Sequence, residues 1–300
     1  MLIDLHAHSS RSDGTDLPAE LVALAADAGL DVLALTDHDS ADGWDEARAA
    51  AEAYEIVLLP GLEISCRHLG AGAHLLAYLP DPRFPPLAEE LVRVLDGRNG
   101  RLPAILARLH RVGVELDVAD IRRVAGAATA TGRPHVADAL VARGVVSNRD
   151  EAFDRFLSPG RPAYVDRYAA ELTEMVALVA RAGGVSVLAH PWGRGSRRVL
   201  TPQVLAELAE AGLAGIEVDH NDHSAEQRAA LRAIASETGL VATGSSDYHG
   251  TGKVGHPLAC NTTSPDQLGR LLDRADASAQ AARQAGAEPP RAPGVAGVNT

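Results

Sequence analysis

Short apolar runs alternate along this chain with segments whose apolar residues recur every three or four positions. The first run, in "MLIDLHAH", takes its β-forming character from Leu2, Ile3 and Leu5. Six more follow: "DVLALTDH" (31–38), "IVLLPGLEIS" (56–65), "AHLLAY" (73–78), "VSVLAHP" (185–191), "GIEVDH" (215–220) and "LVATGSSDYH" (240–249). Each has the length and character of a strand. Between the first two, "LPAELVALAADAGL" has helical spacing: Leu17, Leu21, Leu24, Ala25 and Ala28 recur on one face, Pro18 suits the first turn and Gly29 the end. Seven strands with intervening helices predict an α/β fold around a parallel sheet, open or closed into a barrel.

From about residue 80 to 165 the rhythm changes to consecutive helices: one over 87–112, a short one near 117–125, one opening in "GRPHVADALVARG" and one near 149–157. The pattern predicts an α/β unit made of residues 1–80 and 165–275, interrupted by a helical insertion over 81–164. Residues 276–300 are rich in Ala, Pro and Gly with little apolar bulk, which predicts a disordered tail. No long-period repeat is present.

Composition narrows the classes. With 46% hydrophobic residues, 300 residues suffice for a sizeable core. Cys66 and Cys260 are the two cysteines and lack CxxC spacing, so neither a disulfide framework nor a thiolate zinc knuckle is expected. There is no basic segment followed by an apolar run at the start and no stretch of about 18 apolar residues, so the sequence reads as soluble and cytoplasmic. A net charge of −12 opposes long polyanions such as duplex nucleic acid. An anionic ligand then needs a local positive site, and bound metal is one source.

The reactive side chains fall in a pattern. His6 and His8, Asp37 and His38, Glu63, His190, and Asp247 with His249 all sit in the last residues of a predicted strand or just beyond it, while His74 sits at the start of one. In parallel α/β folds those strand ends gather on one face, where ligands bind. A histidine alone at such a place is an ordinary hydrogen-bonding residue. The pairs "HAH" and "DYH" say more, because alternate residues of a strand share a face. Asp4, two residues before His6, is expected on that face, orienting a ligand imidazole. Imidazole and carboxylate donors without thiolates suit Mn²⁺, Fe²⁺ or Zn²⁺. No GxSxG elbow, Walker loop or GxGxxG offers a rival chemistry.

Taken in order, "DLHAHSSRSDG", "LALTDHD", "GLEIS" followed by "HLLAY", "LAHP" and "SSDYH" resemble the successive motifs of the PHP (polymerase and histidinol phosphatase) metal-dependent phosphoesterases. "GRPHVADAL" and "IEVDHNDHS" resemble the stand-alone bacterial subgroup that includes nucleoside 3′,5′-bisphosphate phosphatases and RNA 5′-end exonucleases. The resemblance implies a distorted (β/α)7 TIM-like barrel with up to three divalent ions at its C-terminal rim. It implies one ion on His6, His8, Glu63 and Asp247, a second on Glu63, His74 and His190, and a third on Asp13, His38 and His249. Some members have a histidine where this chain has Asp13. It also implies phosphoester hydrolysis by a metal-bridging hydroxide, with Asp13, His38, Glu63, Asp247 and His249 as its catalytic residues.

The expected substrate is a small phosphomonoester, foremost the 3′-phosphate of a nucleoside 3′,5′-bisphosphate, with trimming of short RNA from its 5′ end as a further activity. Histidinol phosphate and AMP are the alternative substrates, and a metal-stabilised structural or regulatory module is the non-enzymatic alternative. Arg133 and His135, at a helix start containing Pro134, and Arg194, four residues past His190, are the candidate substrate-binding residues. Among the rest, Trp192 suits either stacking or packing, His220 and His223 suit structural hydrogen bonds, and His68, His110 and His256 read as surface or loop residues.

Overall fold

The computed structural model describes residues 1–294, the side chain of Arg194 excepted. The chain runs β1 (Ile3–Ala7), α1 (Pro18–Asp27), β2 (Val32–Leu35), α2 (Trp44–Tyr54), β3 (Val57–His68) and β4 (Ala71–Tyr78). A helical stretch follows: α3 (Pro85–Gly100), α4 (Leu102–Arg111), α5 (Val118–Ala125), α6 (Arg133–Ala142) and α7 (Arg149–Ala152), the last continued by a π turn over Phe153–Leu157. The α/β alternation resumes with β5 (Ala170–Glu171), α8 (Leu172–Arg181), β6 (Val185–Leu188), α9 (Pro202–Glu210), β7 (Gly215–Asp219), α10 (Ala225–Thr238), β8 (Val241–Gly244) and α11 (Pro265–Gln284).

Seven strands follow one another around a nearly closed barrel in the order β1-β2-β3-β4-β6-β7-β8, and the two-residue β5 pairs with β3 off this path. The ends approach through a bridge between Ala7 and Tyr248 and the bond from His8 N–H to Tyr248 O at 2.8 Å. Inside lie Ile3, Leu5, Val32, Ala34, Leu59, Leu76, Tyr78, Val187 and Val241, and α11 adds Leu268, Leu271 and Leu272. The Tyr78 hydroxyl crosses this interior to Leu5 O at 2.8 Å. An outer layer packs α1, α2 and α8 against the other strand faces, through residues such as Leu21, Leu33, Leu35, Met175 and Val179.

The sheet is not uniformly parallel. β3 and β4 form an antiparallel hairpin, and β4 is antiparallel to β6 as well. The turn lies at Leu69 and Gly70, whose φ of 48° and 82° match the twist of a two-residue hairpin connection. Reversal brings the start of β4 to the rim where the parallel strands end, so His74, opposite Ser65, joins the other histidines.

Two further differences from the sequence reading have local causes. The span 87–112 is not one helix: α3 ends at Gly100 and α4 begins at Leu102, because Pro103 has no N–H to continue the ladder. α11 extends to Gln284, so residues 276–284 are helical rather than disordered. Small Ala275, Ala279 and Ala282 let it pack closely, and Ser278 Oγ donates to Gly184 O at 2.8 Å. Beyond it Ala287 is buried and Glu288 N–H donates to Asp81 Oδ2 at 2.7 Å. Residues 295–300 of the expected tail lie outside the described residues. Helices α4 to α7 have their own core, which includes Ile105, Leu109, Ile121, Val136, Leu140 and Leu157, while α3 sends Leu87, Leu91 and Val94 into the outer layer of the barrel.

Truncating the chain before Asp276 should lower the thermal midpoint by at least about 5 °C, since buried Ala279 and Ala282 and the Ser278 bond are lost together. A dispensable tail would leave the midpoint unchanged in calorimetry.

Candidate metal centre

β1 carries a bulge that sets the site's geometry. Asp4 pairs with Leu33 and Ala7 with Leu35, so one extra residue lies between two positions that share a face. Contrary to the simple alternation, Asp4 reaches back to its own strand, its Oδ1 accepting from His6 N–H at 3.4 Å. It orients no imidazole and instead accepts from Ser246 N–H and Ala259 N–H, both at 3.0 Å, fixing the backbone beside Asp247.

His6 Nε2 lies 3.1 Å from His8 Nε2, 3.5 Å from Glu63 Oε2 and 3.4 Å from Asp247 Oδ1. His8 Nε2 lies 3.2 and 3.5 Å from the same two oxygens. Both rings are oriented from behind. His6 Nδ1–H donates to Glu217 Oε1 at 3.2 Å. Ser12 Oγ gives its own proton to Asp37 at 2.6 Å and faces His8 Nδ1 at 3.4 Å. Each Nε2 thus points at its opposite number and at two carboxylates, all buried. Such an arrangement requires positive charge at its centre, and the separations are those of donor atoms about 2.1 Å from one ion. Burial alone would lower both imidazoles, but Asp247 and Glu63 outweigh it, raising His8 to about 9 and His6 well above its ordinary value.

Glu63 extends the cluster in both directions. Its Oε1 lies 2.8 Å from His74 Nδ1 and 3.2 Å from His190 Nε2. On the other side, His38 Nδ1–H donates to Glu63 O at 3.3 Å and His249 Nδ1–H to Asp247 O at 2.8 Å. Both rings then turn bare Nε2 atoms toward Asp13, at 3.6 Å from Oδ2 and 3.3 Å from Oδ1. Burial pushes His38, His249 and His190 down, His190 to about 4, which keeps them in the neutral form that binds metal. Asp13 Oδ1 and His74 Nδ1 are buried, and although His249 Nε2 and Glu63 Oε1 lie close to them, neither makes an aligned hydrogen bond among the described residues, as atoms facing a shared ion would not. His190 and Asp247 hold φ of 28° and 53°, a left-handed backbone that costs about 1–3 kcal/mol each and persists here at the site. The donor atoms are close enough to hold divalent metal at His6, His8 and Asp247, at Glu63, His74 and His190, and at Asp13, His38 and His249.

The nine residues expected as ligands are therefore brought together. Glu217 was not foreseen: at the middle of β7 it accepts from His6 Nδ1–H, from His190 N–H at 2.7 Å and from the Ser245 hydroxyl. Its signal was a carboxylate set between Ile216 and Val218 in β7. His220 is structural, donating from Nε2 to Asp247 Oδ2 at 3.3 Å while Nδ1 accepts from Asp222 N–H. His223 bridges Val218 O and Trp192 N–H. Trp192 is packed, its Nε1–H on Leu200 O at 2.7 Å. His256 is not a surface residue but lies buried beside the site, donating to Ser246 O at 2.8 Å.

The cluster forms one wall of a cavity of about 410 Å³. Arg98, Arg101, Arg133, Arg149 and Arg167 also line it. Arg98 is held by Asp39 Oδ2 and Ser65 Oγ, both at 2.9 Å, and Arg149 grips Asp138 with two bonds and Asp13 O with a third. Arg133 reaches Leu157 O at 3.0 Å and lies over Phe153 and Tyr164. Arg101 is 8% exposed, and its Nε has no acceptor among the described residues. Burial, with Arg133, Arg167 and Arg98 nearby, pushes Arg101 down. Since a guanidinium keeps its proton, that is unmet positive charge, which an anion would relieve. His135 is not among the cavity-lining residues; its Nδ1 accepts from Gly132 N–H at 3.1 Å at the start of α6. The Arg194 side chain lies outside the described residues.

Imidazoles and carboxylates gathered at the rim of an α/β barrel beside a basic cavity define a metal-dependent hydrolase. The chain belongs to the PHP family of metal-dependent phosphoesterases: residues 4–99 match the PHP domain. It is 34% identical to the 3′,5′-nucleoside bisphosphate phosphatase of Chromobacterium violaceum, over 91% of this chain and 99% of that one. It is 32% identical to a 5′-3′ exoribonuclease of Haemophilus influenzae, over 82% and 89%. A solved structure from Bifidobacterium adolescentis, described as a metal-dependent phosphoesterase, superposes with a TM-score of 0.87 at 36% identity, covering 91% of this chain and 96% of that one. No helix among the described residues is long and apolar enough to cross a membrane.

Two outcomes follow. Glu217→Gln should weaken metal affinity about 10- to 100-fold in chelator competition, because His6 and His190 lose their common anchor. With His8 raised to about 9 in the metal-free protein, metal uptake at pH 7.5 must expel protons. Titration calorimetry in buffers of different ionisation enthalpy should show proton release, and affinity should climb as pH rises from 7.5 to about 9. Affinity flat across that range would contradict the electrostatics.

Proposed function

We propose that this phosphoesterase removes the 3′-phosphate from nucleoside 3′,5′-bisphosphates. The observation that carries the reading is the pairing, in one cavity, of a metal-binding wall with a separate cluster of arginines. A monophosphate needs only the first; a substrate with two phosphates uses both. In this reading His6, His8, Glu63 and Asp247 hold one ion, Glu63, His74 and His190 a second, and Asp13, His38 and His249 a third, as Mn²⁺, Fe²⁺ or Zn²⁺. Ions so held supply an activated water and neutralise charge on the phosphoryl oxygens. Glu63 sets the spacing of the first two ligand groups, and Asp13 with His38 and His249 shapes the third. Arg101 and Arg133 bind the 5′-phosphate, and the enclosing helices orient the nucleoside between the two ends.

The relationship to a protein named 5′-3′ exoribonuclease favours a second activity at the same site. A short RNA would place its 5′-phosphate on the arginines and its first phosphodiester at the metals. The chain's net charge of −12 restricts this to short substrates.

Phosphate release should be measured for the Mn²⁺-loaded protein with adenosine 3′,5′-bisphosphate, 3′-AMP, 5′-AMP, histidinol phosphate and a 5′-phosphorylated RNA oligomer. The bisphosphate should dominate and lose turnover with EDTA. Arg101→Ala should raise KM for it at least about tenfold while leaving 3′-AMP nearly unaffected. Equal losses on both would remove the 5′-phosphate role, and dominant turnover of histidinol phosphate would replace the substrate assignment.

A further inference from the structure

Lys253 is the single lysine of this chain; every other basic side chain among its 28 is arginine. It stands at the cavity wall, 18% exposed, with its ammonium on Asp247 Oδ2. The two oxygens of Asp247 have different tasks. Oδ1 faces His6 and His8, whereas Oδ2 accepts from Lys253 and from His220 Nε2. Lys253 is therefore one carboxylate away from the ligand cluster, on the side open to the cavity.

The loop that carries it is pinned on either side of it. Thr251 N–H donates to Thr15 Oγ1 at 3.0 Å, Gly252 N–H to His249 O at 3.2 Å, and His256 Nδ1–H to Ser246 O at 2.8 Å. Gly252 lets the loop pass directly over the Arg149 guanidinium, since a Cβ there would lie 2.2 Å from Nη1. Arg149 in turn holds Asp13 O. The loop and the metal-binding wall are thus fixed to each other, and Lys253 projects from the loop into the space they share.

We propose that Lys253 contacts the substrate phosphoryl group at the metal centre: one ammonium hydrogen stays on Asp247 Oδ2 and the other two are presented to the phosphoryl oxygens. An ammonium offers three donors on a compact charge and can divide them this way. A guanidinium would take both Asp247 oxygens in a fork and draw Oδ1 away from His6 and His8, which accounts for lysine at this one position. The proposal rests on the phosphoesterase reading for the presence of a phosphoryl group, and not on the nucleoside that carries it.

The isolated lysine makes the test direct. Metal-loaded protein is treated with pyridoxal 5′-phosphate, whose aldehyde condenses with an amine, releasing water, and the imine is reduced with borohydride. Peptide mass spectrometry reads two amines, Lys253 and the α-amino group of Met1, which lies by Asp31 and serves as reference. Label on Lys253 should fall about tenfold with saturating inorganic phosphate while Met1 is unaffected. Unchanged Lys253 labelling, or label on Met1 alone, would overturn the proposal. Lys253→Met should weaken phosphate binding about tenfold at unchanged metal content by elemental analysis. A parallel loss of metal would make Lys253 only a positioning residue for Asp247, also overturning it. A protein that protects Lys253 with phosphate yet turns over no bisphosphate would sink the substrate reading and leave this one standing.

Discussion

The structure depends on the position of one carboxylate. Glu63 is buried in the middle of β3 with Oε2 toward His6, His8 and His38 and Oε1 toward His74 and His190. Five imidazoles from four strand regions can surround a carboxylate only if the wall that carries it is longer than its neighbours and doubles back at the rim. β3, at 12 residues, and its hairpin with β4 meet that condition. The rest of the barrel then supplies candidate ligands from short strands whose ends converge on the same place.

Around this cluster the protein spends hydrogen bonds rather than apolar burial. Glu217, Ser12, Asp37, His220 and the main-chain oxygens of Glu63 and Asp247 each fix a ring or carboxylate by its rear atom. Inward-facing atoms are left without partners of their own kind, so the interior stays electrostatically incomplete until cations arrive. Opposite, buried arginines create the reverse condition. An acidic chain can in this way hold a site that attracts anions, because both conditions are local and screened from the surface charge by the fold.

Much of this was legible in the sequence, for identifiable reasons. Ligands at the ends of apolar runs could be placed on one face because parallel strands order their ends, and the seven strands were marked by composition alone. Asp4 was misplaced because a bulge adds a residue without leaving a pattern in the one-dimensional alternation. Glu217 was hidden in mid-strand, away from the strand ends where the other reactive side chains gather. Arg98 and Arg101 were unreadable, since arginines on an amphipathic helix look the same whether they meet solvent or a cavity. The alanine face of α11 passed for a tail because small residues pack well while contributing little hydrophobicity.

The reversal of β4 has a consequence for how this architecture can vary. Because Tyr78 pairs with Gly61 and with Val185, the first residue of β6, the chain leaves β4 at the end opposite His74. α3 then spans 16 residues, about 24 Å at the helical rise, and delivers Arg98 and Arg101 to the rim. It works as a ruler. One residue added or removed within it would swing both arginines by about 100° as well as shifting them about 1.5 Å, so its length can change only in near-whole turns. This helix is a fixed gauge, and the distance between the two ends of any molecule bound in the cavity is written in its length.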